Sequence, residues 1–113
     1  MENKRKVWQE GEDLVLEYYE SKGYEVLNTN YTVPNGEIDI VVQKDGEIIF
    51  VEVKVVDEID DLMWYIKPQK LHFLERTIQN YMHKKNLEFA IRLDVAFVKN
   101  NTILEVFENV TNS

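Results

Sequence analysis

Trp8, Gly11, Val15, Tyr18 and Tyr19 recur at helical spacing between charged residues, which predicts an amphipathic helix over Val7–Lys22 with Gly23 as its stop. The pattern then changes. Tyr24–Thr32 mixes β-branched, aromatic and polar residues as a strand does, and Pro34-Asn35-Gly36 supplies turn chemistry. Glu37–Lys44 and Glu47–Val56 are strand-like and meet at Asp45-Gly46, a strong two-residue hairpin signal. The second of these runs Ile48-Ile49-Phe50-Val51 and continues with Val53 and Val55, apolar on both faces, as expected of a central strand. Asp57, Glu58, Asp60 and Asp61 require water, so this acidic run reads as a loop. Pro68 suits the first turn of a second helix whose buried stripe is Leu71, Leu74, Ile78, Tyr81 and Met82. Ala90–Lys99 and Thr102–Glu108 form two further strands around Asn100-Asn101. The order αβββαββ predicts one α/β domain over residues 1–113, a mixed central sheet flanked by helices.

The hairpin register brings chemistry together. A two-residue turn at Asp45-Gly46 sets Lys44 opposite Glu47, and carries Asp39 opposite Glu52 and Glu37 opposite Lys54. All four side chains would then share one face of the sheet. Asp39 and Glu52 would form a non-hydrogen-bonded pair, with Cα atoms about 4.5 Å apart. Carboxylates that close repel unless a proton or a cation intervenes, and a divalent ion with oxygen ligands removes the conflict. Glu12 falls among Trp8, Val15 and Tyr19 on the first helix, where a carboxylate needs a partner. It either reaches water at the stripe edge or points at the hairpin as a further ligand. The plainer alternative for Glu52 and Lys54 is an ion pair on a solvated sheet face.

Composition narrows the classes. The chain of 113 residues has no cysteine, which excludes disulfides and thiolate metal sites. No apolar run approaches membrane-spanning length and the N-terminal segment is not signal-like, so a cytoplasmic protein with no membrane partner is expected. A formal charge of −8 argues against a general nucleic-acid coat. The second helix is nonetheless locally basic, with Lys67, Lys70, Arg76, Lys84 and Lys85 against Glu75. Arg92 and Asp94 alternate onto one strand face, and a structural ion pair with a neighbour is the expected role for them. No Gly-rich phosphate loop or Ser/His/Asp grouping supports a small-molecule enzyme.

Gly11-Glu12, Gly23-Tyr24, Asn30, Gly36-Glu37-Ile38-Asp39-Ile40, Phe50-Val51-Glu52-Val53-Lys54, Lys70 and Arg92-Leu93-Asp94-Val95 follow one another in order. This series resembles the YraN-like family of small bacterial proteins, within the PD-(D/E)XK nuclease superfamily and related to archaeal Holliday-junction resolvases. The likeness covers roughly Trp8 to Val98. It implies a restriction-endonuclease-like fold and metal-dependent hydrolysis of DNA, with branched, nicked or single-stranded structures as the expected substrates. It further implies that Asp39, Glu52 and the Val53 carbonyl hold Mg2+ or Mn2+, that Glu12 completes the shell, and that Lys54 orients or activates water. Lys67 and Lys70 would meet phosphate, and a homodimer would match the related resolvases. Val55-Val56 and the acids after them depart from the family pattern, where a small polar and then a basic residue are usual. Trp64 and Tyr65 read as packing under the helix start, with stacking on an unpaired base as the alternative. That departure keeps a second expectation open, a nuclease-fold protein that serves as a binding or regulatory module.

Overall fold

The computed structural model describes residues 4–33, 36–56, 68–86 and 89–110. Helix α1 spans Lys4–Ser21, followed by strands β1 (Glu25–Val33), β2 (Gly36–Lys44) and β3 (Glu47–Val55), helix α2 (Pro68–Lys85) and strands β4 (Ala90–Lys99) and β5 (Thr102–Phe107). The five strands form one sheet in the order β1-β2-β3-β4-β5. Neighbours are antiparallel except β3 and β4, which run parallel. The parallel pair follows from the α2 crossover, since two parallel neighbours cannot be joined by a tight turn. The architecture is the expected mixed α/β fold, in an order compatible with a nuclease-like fold. No described helix is long and apolar enough to cross a membrane.

The turn residues explain the hairpins. Asp45 and Gly46 have φ values of 51° and 78°, the paired positive angles of a two-residue turn whose twist matches its strands. Asn100 and Asn101, at 49° and 58°, repeat the device between β4 and β5.

Each sheet face carries one helix. Val15 and Tyr19 of α1 pack on Ile40, Val42, Ile49, Val51, Val53, Ala96 and Val98. Leu74, Ile78 and Tyr81 of α2 cover Ile38, Val41, Ile48, Phe50 and Leu93 on the other side. β3, with neighbours on both edges and helices on both faces, is buried from Ile48 to Val53. Trp8 departs from its expected place in the α1 stripe: it is 38% exposed, because the stripe's buried part begins at Gly11.

Arg92 and Asp94 form the expected structural pair, within a larger network. Asp94, fully buried, accepts from Arg92 Nε at 2.9 Å and Nη2 at 2.9 Å, from the Tyr19 hydroxyl at 2.6 Å and from Asn109 N at 3.1 Å. Together with Val110 N donating to Leu93 O at 2.9 Å, this ties α1 and the segment after β5 to β4. Burial alone would lower the proton affinity of the Arg92 guanidinium, but its bonds to Asp94 more than reverse that and the net shift is upward.

Candidate functional site

The β2–β3 ladder follows the register that the turn dictates, from Lys44↔Glu47 to Ile40↔Val51, and stops there. Beyond that point the strands part company. Ile38, Glu37 and Gly36 of β2 stay paired with β1, while Glu52 through Val55 of β3 stay paired with β4. The result is a fork in the middle of the sheet, with Asp39 and Glu52 as the first residues past the last pair. The Asp39 carboxylate takes over from the backbone: its Oδ2 accepts the Val53 N–H at 2.7 Å. In an extended strand the N–H and C=O of one residue point to the same side, so the Val53 carbonyl also faces the fork.

The arrangement expected from strict alternation, with Glu37, Asp39, Glu52 and Lys54 on one face, is modified here. Ile38 packs against α2 together with Val41, whereas Ile40 and Val42 pack against α1, so alternation along β2 breaks at Asp39. The break lies opposite a backbone irregularity of β1. Asn30, between residues 29 and 31 that pair with Ile40 and Ile38, has φ 51°, a left-handed conformation that asparagine tolerates better than most residues. β3 stays regular, so Glu52 and Lys54 continue the row of Ile48 and Phe50 and pair at 3.6 Å. Glu37 and Lys54 are not ladder partners, because they lie beyond the opening.

Helix α1 brings Glu12 to the same place. A Cβ on Gly11 would come within 2.9 Å of Val55 Cγ2, so only glycine lets the helix lie this close to β3. Glu12, the next residue, is 4% exposed, and Asn30 Nδ2 donates to its Oε1 at 3.1 Å and its Oε2 at 3.3 Å. The same nitrogen lies 3.3 Å from Glu37 Oε1 and donates there too.

Charge is the defining property of this fork. Asp39 is 3% exposed, and burial first, then Glu52, Glu12 and Glu37, push its pKa up to about 8 against the opposing pull of the Val53 N–H. Burial likewise raises the pKa of Glu12, with smaller upward contributions from Glu37, Asp13 and Glu52, while the Asn30 amide lowers it. Four carboxylates thus meet at the fork, with Lys54 Nζ 3.6 Å from Glu52 Oε1. Among the described residues no three His, Asp or Glu side chains converge on one point at ligating distance. The donors at the fork are two buried carboxylates and a backbone carbonyl, with Glu12 approaching from the α1 side. Hard oxygen donors of this kind fit a small divalent cation, which commonly takes one or two carboxylates and completes its shell with water.

Of the residues expected to meet phosphate, Lys67 lies outside the described residues. Lys70 falls in the first turn of α2, and its side chain is not among those described. The acidic run at 57–61, Trp64 and Tyr65 also lie outside the described residues. Sequence alone does not mark two contributors as site residues. Asn30 belongs to the motif series, and a strand-interior asparagine is unfavourable enough to be a signal. Glu37 shares the predicted face but has no role that spacing assigns.

A family model described as "Uncharacterised protein family UPF0102" matches residues 11–98, from the glycine that admits α1 to the end of β4. A UPF0102 protein of Flavobacterium psychrophilum is 38% identical over 78% of this chain and 76% of its own. One of Thermotoga petrophila is 39% identical over 77% and 81%. One of Nitratiruptor sp. is 37% identical over 89% and 88%. The matched span includes Glu12, Asp39, Glu52 and Lys54, and the chain belongs to the UPF0102 family, the YraN-like family its motifs resemble.

Proposed function

We propose that this protein is a Mg2+- or Mn2+-dependent endonuclease that hydrolyses phosphodiester bonds in DNA, preferentially in branched, nicked or single-stranded structures. One observation carries the reading. Asp39 and Glu52 are buried beside each other where the ladder opens, and their mutual repulsion opposes the fold unless a cation or a proton joins them. A structural role would be served better by a neutral pair.

In this reading Asp39, Glu52 and the Val53 carbonyl hold the ion, with Glu12 reaching it from α1. A divalent ion bound there supplies charge stabilisation at the scissile phosphate and acidifies its bound water. The remaining work falls to the chain. Asp39, fixed by the Val53 N–H, presents its carboxylate in one orientation. Lys54, partly exposed beside Glu52, orients or deprotonates the attacking water and faces the incoming phosphate. Lys67 and Lys70 contact the flanking backbone. With a formal charge of −8, attraction for DNA is local and salt-sensitive rather than general. A dimer of the kind related resolvases form would engage two strands of a junction, and light scattering in the presence of a junction checks this.

Purified protein is incubated with Mg2+ or Mn2+ and a panel of linear, nicked, branched and single-stranded DNA. The reading requires cleavage by wild type that Asp39→Ala abolishes. Identical behaviour of the two proteins on every substrate would refute it. The net acidity favours a second reading, a member of this fold that binds a partner without cleaving DNA. Ion binding without cleavage of any substrate would favour that one.

A further inference from the structure

Asn30 holds the least expected geometry near the fork. It sits within an edge strand, takes a left-handed backbone, and directs one amide nitrogen at two carboxylates from different elements, Glu12 of α1 and Glu37 of β2. Strand residues rarely adopt positive φ, and a conformation of this kind persists only where its surroundings determine it. The left-handed turn of the chain coincides with the break in alternation at Asp39, so one residue aligns two parts of the site.

The amide also meets a specific need. Glu12 is buried, and a buried carboxylate requires a donor. Among the described residues, Lys54 pairs with Glu52, Arg92 with Asp94, and Lys44 Nζ donates to the Lys22 carbonyl at 2.6 Å. Packing alone does not fix the Glu12 carboxylate. A cavity of about 130 Å³, bounded by Gln9, Glu12, Asp13, Thr29 and Asn30 among others, gives it room to turn away. A neutral donor suits the position better than a cation would. A lysine or arginine here would compete with a metal for the same carboxylate, whereas an amide orients the carboxylate and leaves its charge in place.

We infer that Asn30 is a positioning residue for the metal site, acting through Glu12: its amide clamps Glu12 against Glu37 and keeps the Glu12 carboxylate turned toward Asp39 and Glu52. This rests on the metal-site reading above and deepens it, because it separates the residue that orients a ligand from the ligands themselves.

Two measurements test it. In the metal-free protein, the side-chain amide resonances of Asn30 are followed by ¹H–¹⁵N NMR in wild type and Glu12→Gln. The clamp predicts a clear shift of that amide pair on Glu12→Gln, and an unchanged pair overturns it whether or not any metal binds. Next, Mn2+ affinity is measured by electron paramagnetic resonance for wild type, Asn30→Gly, Glu12→Gln and the double variant. Glycine keeps the positive φ and removes only the amide, so the metal-free fold is retained. Asn30→Gly is expected to weaken Mn2+ binding about tenfold in the wild-type background. In the Glu12→Gln background it is expected to have no further effect. Unchanged affinity in Asn30→Gly, or an equal loss in both backgrounds, overturns the inference while leaving the metal site standing. Absence of Mn2+ binding by wild type overturns the metal-site reading and this inference with it.

Discussion

Asp39 and Asp94 are aspartates on the two strands that flank β3, both withdrawn from water, and their surroundings are opposite. Asp94 accepts from a tyrosine hydroxyl, from two guanidinium nitrogens and from a backbone N–H. Asp39 accepts from one backbone N–H and otherwise faces Glu52, Glu12 and Glu37. The first site is complete as the chain stands. The second gathers acids where the sheet forks, with Lys54 at its Glu52 side. A carboxylate satisfied by donors supports the fold, and a cluster of like charges suits a partner from outside.

The largest loss is expected at Asp94. Asp94→Ala leaves the Arg92 guanidinium partly buried without its main partner and leaves the Tyr19 hydroxyl without its acceptor, a loss of about 3–5 kcal/mol. Urea unfolding with and without Mn2+ checks this, and the loss should be the same in both.

Asp39→Asn should act in the opposite direction. The pKa of Asp39 is raised from the ordinary 3.8 to about 8 on folding, so the folded state binds more protons than the unfolded state over that interval. The stability of the metal-free wild type therefore falls as pH rises from about 4 to about 8. Asparagine removes that slope. Metal-free Asp39→Asn should melt on the order of 5 °C above wild type at pH 8 and gain little near pH 4. Mn2+ should raise the wild-type melting temperature at pH 8 and leave the variant unmoved. Calorimetric melting across this pH range decides it.

Gly11→Ala sharpens the contrast from the α1 side. A methyl group 2.9 Å from Val55 Cγ2 pushes the first half of the helix off β3, costing about 1–3 kcal/mol. Glu12 is adjacent to the displacement and Tyr19 is two turns away, so Mn2+ affinity should fall while the Tyr19–Asp94 bond survives. Affinity measurements paired with the Tyr19 ring resonances report the two ends separately. The smallest effect is expected at Lys84, exposed on α2. Lys84→Gln should change stability by less than about 0.5 kcal/mol and leave Mn2+ affinity unaltered.

Much of this was legible in the chain. The period of Val15 and Tyr19, the turns at Asp45-Gly46 and Asn100-Asn101, and the two-faced apolarity of Ile48 to Val53 are local signals. They specify the elements and their order. The hairpin turn also fixes a register that holds as far as Ile40↔Val51, and the family motifs mark Asp39, Glu52 and Lys54. The fork was not legible, because counting along two strands assumes that they remain paired. The ladder ends when a side chain, Asp39, takes the N–H of Val53, and no periodicity records that exchange. The partner of Glu12 was hidden for a related reason. Asn30 reaches it across an α1–β1 contact that depends on how closely Gly11 lets the helix approach.

Calorimetric titration of Mn2+ into wild type and Glu52→Gln at pH 8 asks whether Asp39 and Glu52 form a cation site. Wild type should bind one ion saturably at the fork, with proton release as Asp39 ionises, and Glu52→Gln should show neither signal. Absence of a binding isotherm in wild type, or one that Glu52→Gln reproduces, would contradict a cation site there.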